Sequence, residues 1–488
     1  MPFLDLVSPA GAKIRGWRRD ANTQHAMPEA GTMTLTVVEE EEEEEEGLHG
    51  HGGSMEVLTL PVALDRVGLG PFHWKFVVQC GLSWSCDMIE IALLSFLIPM
   101  VISGPAALPS STPSPGFLLG GVTFAGELLG SLLFGVVSDL KGRRIGYLAS
   151  TALIALAGLL CAASQNVETL VALRFFVGLG LGGVTCAFTL LSEVVGSAHR
   201  GKRIILSMGL LWTAGGVFAT GAAWALDALI PDPNWQWRAL VMVSAAPSLL
   251  LLLLFPWLVE SPRFHLGAGK RGEAEKTVRK IALANRASAF PRNFRLREPS
   301  APSSRGEGAT IARVLFGEDL WPTTLILASL WFLNMGSYYG ICFVTPIYFK
   351  AQHDNEYVAA FVSSVSEVPG ILAVSWAADG VGRRGALIAG YSVCAVATAL
   401  LSLSAYLPYA ALVTSAVFSR ASAMASIMAL YLYTPEVYPT QARNAALGLG
   451  SACSRVAGIL VSYLSFRSET LASAVAAIAV YAASGKGK

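Results

Sequence analysis

The chain has 488 residues, 53% of them hydrophobic and only 14% charged, with a formal net charge of +1. An ordinary soluble domain carries roughly 25% charged residues, so this composition points to a membrane protein. The near-zero net charge excludes a global basic field for nucleic acid, and no basic patch is interleaved with aromatics as RNA binders require.

The first 55 residues hold Arg15, Arg18 and Arg19, then eight consecutive glutamates from Glu39 to Glu46, then GLHGHGG. Such a segment buries no core and is expected to be disordered. It has no apolar run before a cleavage site, hence no secretory signal. The arginines leave an organelle presequence open, Met55 is an alternative start, and His49 and His51 in that setting make no convincing metal site.

Beyond it, apolar runs of about 20 residues recur, each long enough at 1.5 Å per residue to cross roughly 30 Å of hydrocarbon. They fall at 76–101, 117–137, 146–164, 169–195, 204–226, 238–258, 320–346, 357–378, 386–404, 409–434, 444–465 and 471–484. That gives twelve transmembrane helices, or eleven if the short, alanine-rich last run does not span, and leaves the completeness of the C-terminus open. Between the sixth and seventh lies a polar stretch, 260–319, with twelve Lys and Arg. The expected organisation is a tail (1–55), a first half (56–259), a central loop (260–319), a second half (320–484) and a short tail (485–488).

Lys and Arg concentrate in alternate loops: KGRR at 141–144, HRGKR at 199–203, the central loop, GRR at 382–384, Arg443 and the GKGK end. The opposite loops hold little beyond Lys350, Arg467 and Arg238. By the positive-inside bias both termini and the central loop are cytoplasmic. All seven cysteines lie in or beside apolar runs without metal spacing and read as small core residues.

The charges also reveal a duplication. Asp139, Gly142, Arg143 and Arg144 recur 240 residues later as Asp379, Gly382, Arg383 and Arg384. Glu193 and Arg200 recur at an offset of 243 as Glu436 and Arg443, and Arg174 recurs at 246 as Arg420. Two parallel six-helix halves are the layout of alternating-access carriers, with the substrate held between the halves near the midplane.

Acids inside the spans suggest where. Asp87 and Glu90 are three apart and share a helix face. Each would cost roughly 2.5 to 3.5 kcal/mol at a bilayer centre, so both are expected to face a cavity, as a substrate or proton site or as a hydrogen-bond post between spans. Glu367, beside Pro369-Gly370, is a candidate for proton coupling or cation contact. Glu127 is a further midplane acid. Arg455 is available to neutralise Glu367 or Asp87, or to take an anionic substrate with its planar fork. Asn334, Tyr338 and Tyr339 bring an amide, phenols and aromatic faces suited to flat rings or organic cations, although Tyr338 is also readable as an interfacial anchor. Asp139, Arg143, Arg144, Glu193 and Arg200, with Asp379, Arg383, Arg384, Glu436 and Arg443, are expected to bridge cytoplasmic helix ends and set the conformational equilibrium.

Other motifs exclude more than they suggest. GLGLGG at 178–183 formally contains GxGxxG, but an apolar helix precedes it, so close helix packing explains it better than a dinucleotide. No GxxxxGK[ST] loop supports ATP-driven transport. No nucleophile with a base suggests an enzyme, and no cofactor or metal is expected.

The two DxxGRR loops, RFFVGLGLGG (174–183), ESPRF (260–264) and YTPEVYPTQAR (433–443) resemble signatures of the major facilitator superfamily, over about 56–466. GLGPFHWK (68–75), CDMIEIALLSF (86–96), WFLNMGSYYG (331–340), SEVPG (366–370) and SACSRVAG (451–458) are similar to its branch of synaptic vesicle protein relatives, plant organic cation carriers and bacterial nicotinate permeases. The chain departs from the family pattern at Leu140-Lys141 and before Glu260. The resemblance implies the all-α major facilitator fold and a monomeric, proton-coupled secondary transporter of a small organic ion in the lipid bilayer. A nicotinate-like monocarboxylate is favoured over an organic cation or a sugar. The contrasting reading is a non-transporting receptor or scaffold in a vesicle membrane, and plasma membrane versus endomembrane vesicle stays open.

Overall fold

The computed structural model describes residues 55–467 apart from 103–105, 112–113, 197–201, 289, 292, 298–313, 318–319, 352–355, 403–407 and 440–441. The expected tail, the twelfth span at 471–484 and Arg200 therefore lie outside the described residues, and so does the side chain of Asp379.

Eleven described helices are long and apolar enough to cross a membrane. Spans 1 to 6 are Pro71–Ile102, Pro115–Lys141, Arg143–Cys161, Val167–Val194, Ile204–Leu229 and Pro233–Trp257. Spans 7 to 11 are Trp321–Pro346, Tyr357–Ala378, Gly382–Leu401, Ala410–Val437 and Ala445–Ser465. Span 1 starts five residues before the apolar pattern does, because Pro71 is well placed in a first helical turn and the polar side chains that follow find partners. His73 Nε2 lies 3.1 Å from the carbonyl of Val194.

The packing repeats with the sequence. Span 1 lies on span 5 as span 7 lies on span 11; span 2 lies on 4 as 8 lies on 10; span 3 lies on 4 as 9 lies on 10. The halves meet where span 2 faces span 11, span 5 faces span 8 and span 1 faces span 7.

Apolar helices gain nothing by leaving lipid for each other, so close contact decides their packing. Spans 2 and 4 each carry a GxxxG stretch, Gly126 to Gly130 and Gly178 to Gly182. A Cβ on Gly178 would fall 2.0 Å from the carbonyl oxygen of Thr123, and one on Gly130 would fall 1.9 Å from that of Leu179. The contact recurs in the second half, where a Cβ on Gly370 would fall 2.2 Å from the oxygen of Ala421. This is the packing role expected for GLGLGG.

A small clasp sits at the end of the first half that carries the basic loops. Strand β1 (Glu56–Leu58) runs parallel to β2 (Phe294–Leu296) of the central loop. The amphipathic helix Arg271–Ala284 buries Ala274, Val278, Ile281 and Ala282, the spacing of one apolar face. Beyond it, Asn285 accepts from the amide of Phe72 at 3.0 Å, donates to the carbonyl of Gly68 at 3.0 Å and meets His73 Nδ1 at 2.9 Å.

Candidate functional site

Asp87, Glu90, Glu127, Glu367, Arg174 and Arg420 are buried well inside their spans, and Arg455 is nearly so, with 13% of its side chain exposed. Unpaired charge at this depth is costly, and each arginine is held against a carboxylate.

In the first half Arg174 Nη1 lies 2.5 Å from Glu90 Oε2. In the second half its sequence counterpart Arg420 donates from Nε to Glu367 Oε1 at 2.7 Å. The two matched arginines thus do the same work, but the acid comes from span 1 in one half and from span 8 in the other.

The position of Glu367 follows from a break in span 8. Pro369 has no N–H to offer the carbonyl four residues back and its ring crowds that turn, and the helix stops at Val365 and restarts at Glu367. Ser366 covers the break, donating through Oγ to the carbonyls of Ser363 at 2.6 Å and Val417 at 3.1 Å. Glu367 also accepts from Tyr338 Oη at 2.7 Å and, across the seam, from Thr213 Oγ1 of span 5 at 2.7 Å. Trp212 Nε1 donates to Tyr338 Oη at 2.9 Å. The fully buried Tyr338 is therefore not an interfacial anchor.

The third arginine is shared. Arg455 Nη2 lies 3.1 Å from Asp87 Oδ2 and 2.5 Å from Glu127 Oε1, while Nη1 donates to Tyr339 Oη at 2.7 Å. Asp87 and Glu90, expected to act together from one face, are thereby split: Glu90 turns to span 4 and Asp87 to span 11. The acid that crowds Asp87 is Glu127. Four carboxylates against three guanidiniums leave one acid in excess among these seven residues.

Asn334 does not join the cluster; its Nδ2 donates to Tyr391 Oη at 3.0 Å, a tie from span 7 to span 9 inside the second half. Aromatic rings enclose the rest. Phe124 packs on Tyr339 with centroids 4.9 Å apart, and Tyr431 packs on Trp84 at 5.4 Å and on Trp331 at 4.7 Å. Toward the ends opposite the basic loops, Phe96 with Tyr357, Phe117 with Tyr463 and Trp224 with Phe361 close the seam between the halves.

The charges at the basic helix ends stay within each half among the described residues. Arg143 pairs with Glu193 at 3.2 Å and Asp139 at 3.1 Å, and Arg383 pairs with Glu436 at 3.0 Å. Arg143 donates to the carbonyl of Ser138 at 3.0 Å and Arg383 to that of Ala378 at 3.2 Å, positions 240 residues apart. Arg443 donates to the carbonyl of Tyr438 at 3.1 Å. Arg144 stacks over Phe255 at 4.5 Å.

Three contributing residues, Trp212, Thr213 and Glu260, are not marked as such by the sequence pattern. Trp212 and Thr213 are uncharged members of an apolar span and leave no signal. Glu260 was visible in the ESPRF stretch; its carboxylate accepts from the amides of Arg143 at 3.0 Å and Arg144 at 3.1 Å and caps the N-terminus of span 3, where the helix dipole favours an anion. Gly142, at φ 105, leaves room for it: a Cβ there would meet Glu260 Oε2 at 2.3 Å.

Among the described residues no group of three His, Cys, Asp or Glu could hold a metal ion. Duplicated halves, six spans in the first and five described in the second, with a paired-charge cluster across their seam define a membrane carrier. The sequence matches the family described as "Sugar (and other) transporter" over residues 110–482, and the chain belongs to that family, within the major facilitator superfamily; it is a transporter and not an enzyme. Organic cation/carnitine transporter 7 of Arabidopsis thaliana is 30% identical over 446 residues, covering 82% of this chain and 87% of that protein. The niacin transporter NiaP of Acinetobacter baylyi is 26% identical over 427 residues, covering 82% and 88%. A partially occluded inward open structure of the xylose transporter XylE from E. coli shares the fold, with a TM-score of 0.66 over 85% of this chain and 98% of that one at 19% identity.

Proposed function

We propose that the chain is a proton-coupled secondary transporter of a small organic ion, and that the ion is a nicotinate-like monocarboxylate bound at Arg455. The two halves, 56–259 and 320–484, rock about the seam with both termini and the central loop on the cytoplasmic side.

The observation that carries this reading is that one guanidinium, on span 11, serves two carboxylates, one from span 1 and one from span 2. A substrate carboxylate docking on Arg455 competes with them, and a buried carboxylate cut off from its guanidinium is costly. Displacement therefore goes with uptake of a proton by the acid that leaves. One proton and one anion enter together, the charge of the cluster stays constant, and release reverses the exchange. Rings around Arg455 suit a flat heteroaromatic acid, and a niacin transporter is among the relatives. The pairs at the basic helix ends hold the helices of each half together as it moves.

An organic cation is the second reading. The excess acid favours it, as does the name of the plant relative.

Uptake of radiolabelled nicotinate and of tetraethylammonium into proteoliposomes, with and without an imposed pH gradient, separates the two. Accumulation of nicotinate under an inside-alkaline gradient is the expected result; transport of neither by correctly inserted protein would refute the proposal.

A further inference from the structure

The four buried carboxylates differ in how well they are held. Glu90 has a guanidinium to itself. Glu367 has three donors, from Arg420, Tyr338 and Thr213, reaching both its oxygens. Asp87 accepts one hydrogen bond, from Arg455 at 3.1 Å, and its Oδ1 has no donor. Glu127 is the extreme case. Its Oε1 lies 2.5 Å from Arg455 Nη2, yet neither of its oxygens receives an aligned hydrogen bond, and the residue is 1% exposed.

We propose that Glu127, at a position that the family resemblance did not single out, is the group that takes up and releases the coupling proton. This rests on the transport reading above and assigns its proton to one residue. A fully ionised carboxylate is stabilised by the donors it accepts from, and a buried one without aligned donors is the member of a set that gains most from becoming a neutral acid.

The groups facing Glu127 are consistent with that exchange. Arg455 of span 11 contacts it, Asp87 of span 1 and Tyr339 of span 7 share that guanidinium, and Tyr431 of span 10 lies within electrostatic range. Span 4 approaches with Gly182, whose missing side chain leaves the backbone of span 2 in contact at Glu127. Arg455 is the sole cation in this set and already has Asp87, so loss of charge at Glu127 leaves no guanidinium without a partner.

The step balances. One proton from water joins the Glu127 carboxylate, and the substrate carboxylate takes its place at Arg455 Nη2. After release the acid returns its proton to water and the carboxylate re-forms its contact with Arg455. One proton and one monovalent anion cross per cycle.

Infrared difference spectroscopy of the purified protein between about pH 6 and about pH 9, a window in which carboxylates of ordinary pKa stay ionised, tests the assignment without any substrate. The carbonyl stretch of a protonated carboxylic acid is expected in wild type, in Glu90→Gln and in Glu367→Gln, and is expected to be lost in Glu127→Gln and to return, shifted, in Glu127→Asp. In proteoliposomes Glu127→Gln is expected to lose nicotinate accumulation driven by the pH gradient, with Glu127→Asp restoring part of it. A band that survives in Glu127→Gln and disappears in Asp87→Asn, Glu90→Gln or Glu367→Gln would overturn the assignment. If wild type moves no nicotinate, the transport reading fails and the infrared measurement still decides the titrating residue.

Discussion

Tyr338 and Tyr339, neighbours on span 7, serve two different charge clusters: Tyr338 donates to Glu367 at 2.7 Å, and Tyr339 accepts from Arg455 at 2.7 Å. Successive helix residues point about 100° apart, so one span touches the satisfied acid on one side and the shared guanidinium on the other. Tyr338→Phe would leave the Trp212 N–H without its acceptor and Glu367 one donor short. A loss of about 1–3 kcal/mol is expected, read as thermal unfolding in detergent. Tyr339→Phe frees a donor on Arg455 and is expected to act mainly on the KM for nicotinate; equal effects of the two changes on stability and on KM would contradict this division.

Arg174 and Glu90 are expected to behave as a buried pair. Removing one partner strands the other charge, at a cost of about 3–5 kcal/mol, whereas replacing both with apolar residues is often neutral. Arg174→Leu should lower the unfolding temperature sharply, and Arg174→Leu with Glu90→Leu should recover most of the loss. Purified protein and intrinsic tryptophan fluorescence suffice to measure both.

The glycine crossing of spans 2 and 4 admits no side chain. Gly178→Ala puts a methyl 2.0 Å from a carbonyl oxygen, whereas a Cβ on Gly135 in span 2 meets nothing within 4 Å. Overpacking of this kind typically costs about 1–3 kcal/mol, so Gly178→Ala should destabilise clearly and Gly135→Ala should not. Equal melting of the two variants would remove the packing explanation.

At the basic helix ends, Glu260 is expected to matter more than Glu436. Glu260 caps a helix through two backbone amides, a role worth about 0.5–2 kcal/mol. The Arg383–Glu436 pair has side chains 38% and 49% exposed, and exposed pairs contribute about 0–1 kcal/mol. Comparison of Glu260→Ala with Glu436→Ala by thermal unfolding checks the order, which raised salt should leave unchanged.

The spans were legible because hydropathy over 20 residues is a strong signal, and the halves because DxxGRR and E-x6-R repeat. Acids inside apolar runs marked the site for the same reason: they have no cheap explanation in lipid. Partnership was not legible. Nothing in the spacing of Asp87 and Glu90 shows that one turns to Arg174 and the other to Arg455, or that Glu127 completes the second cluster. Asn334 reads the same in sequence whether it faces a cavity or span 9. Strands β1 and β2, three residues each, are too short to show an alternating pattern, and their pairing depends on the central loop folding back.

Nicotinate uptake into proteoliposomes of wild type and Arg455→Gln, under an inside-alkaline gradient, tests most directly whether Arg455 exchanges a substrate anion for a protonated carboxylate. One pH unit is worth about 1.4 kcal/mol, so an electroneutral one-to-one symport should concentrate nicotinate by up to about tenfold per unit in wild type, collapse when the gradient is dissipated, and be absent in Arg455→Gln. Uptake that ignores the gradient, or that survives unchanged in Arg455→Gln, would contradict the account.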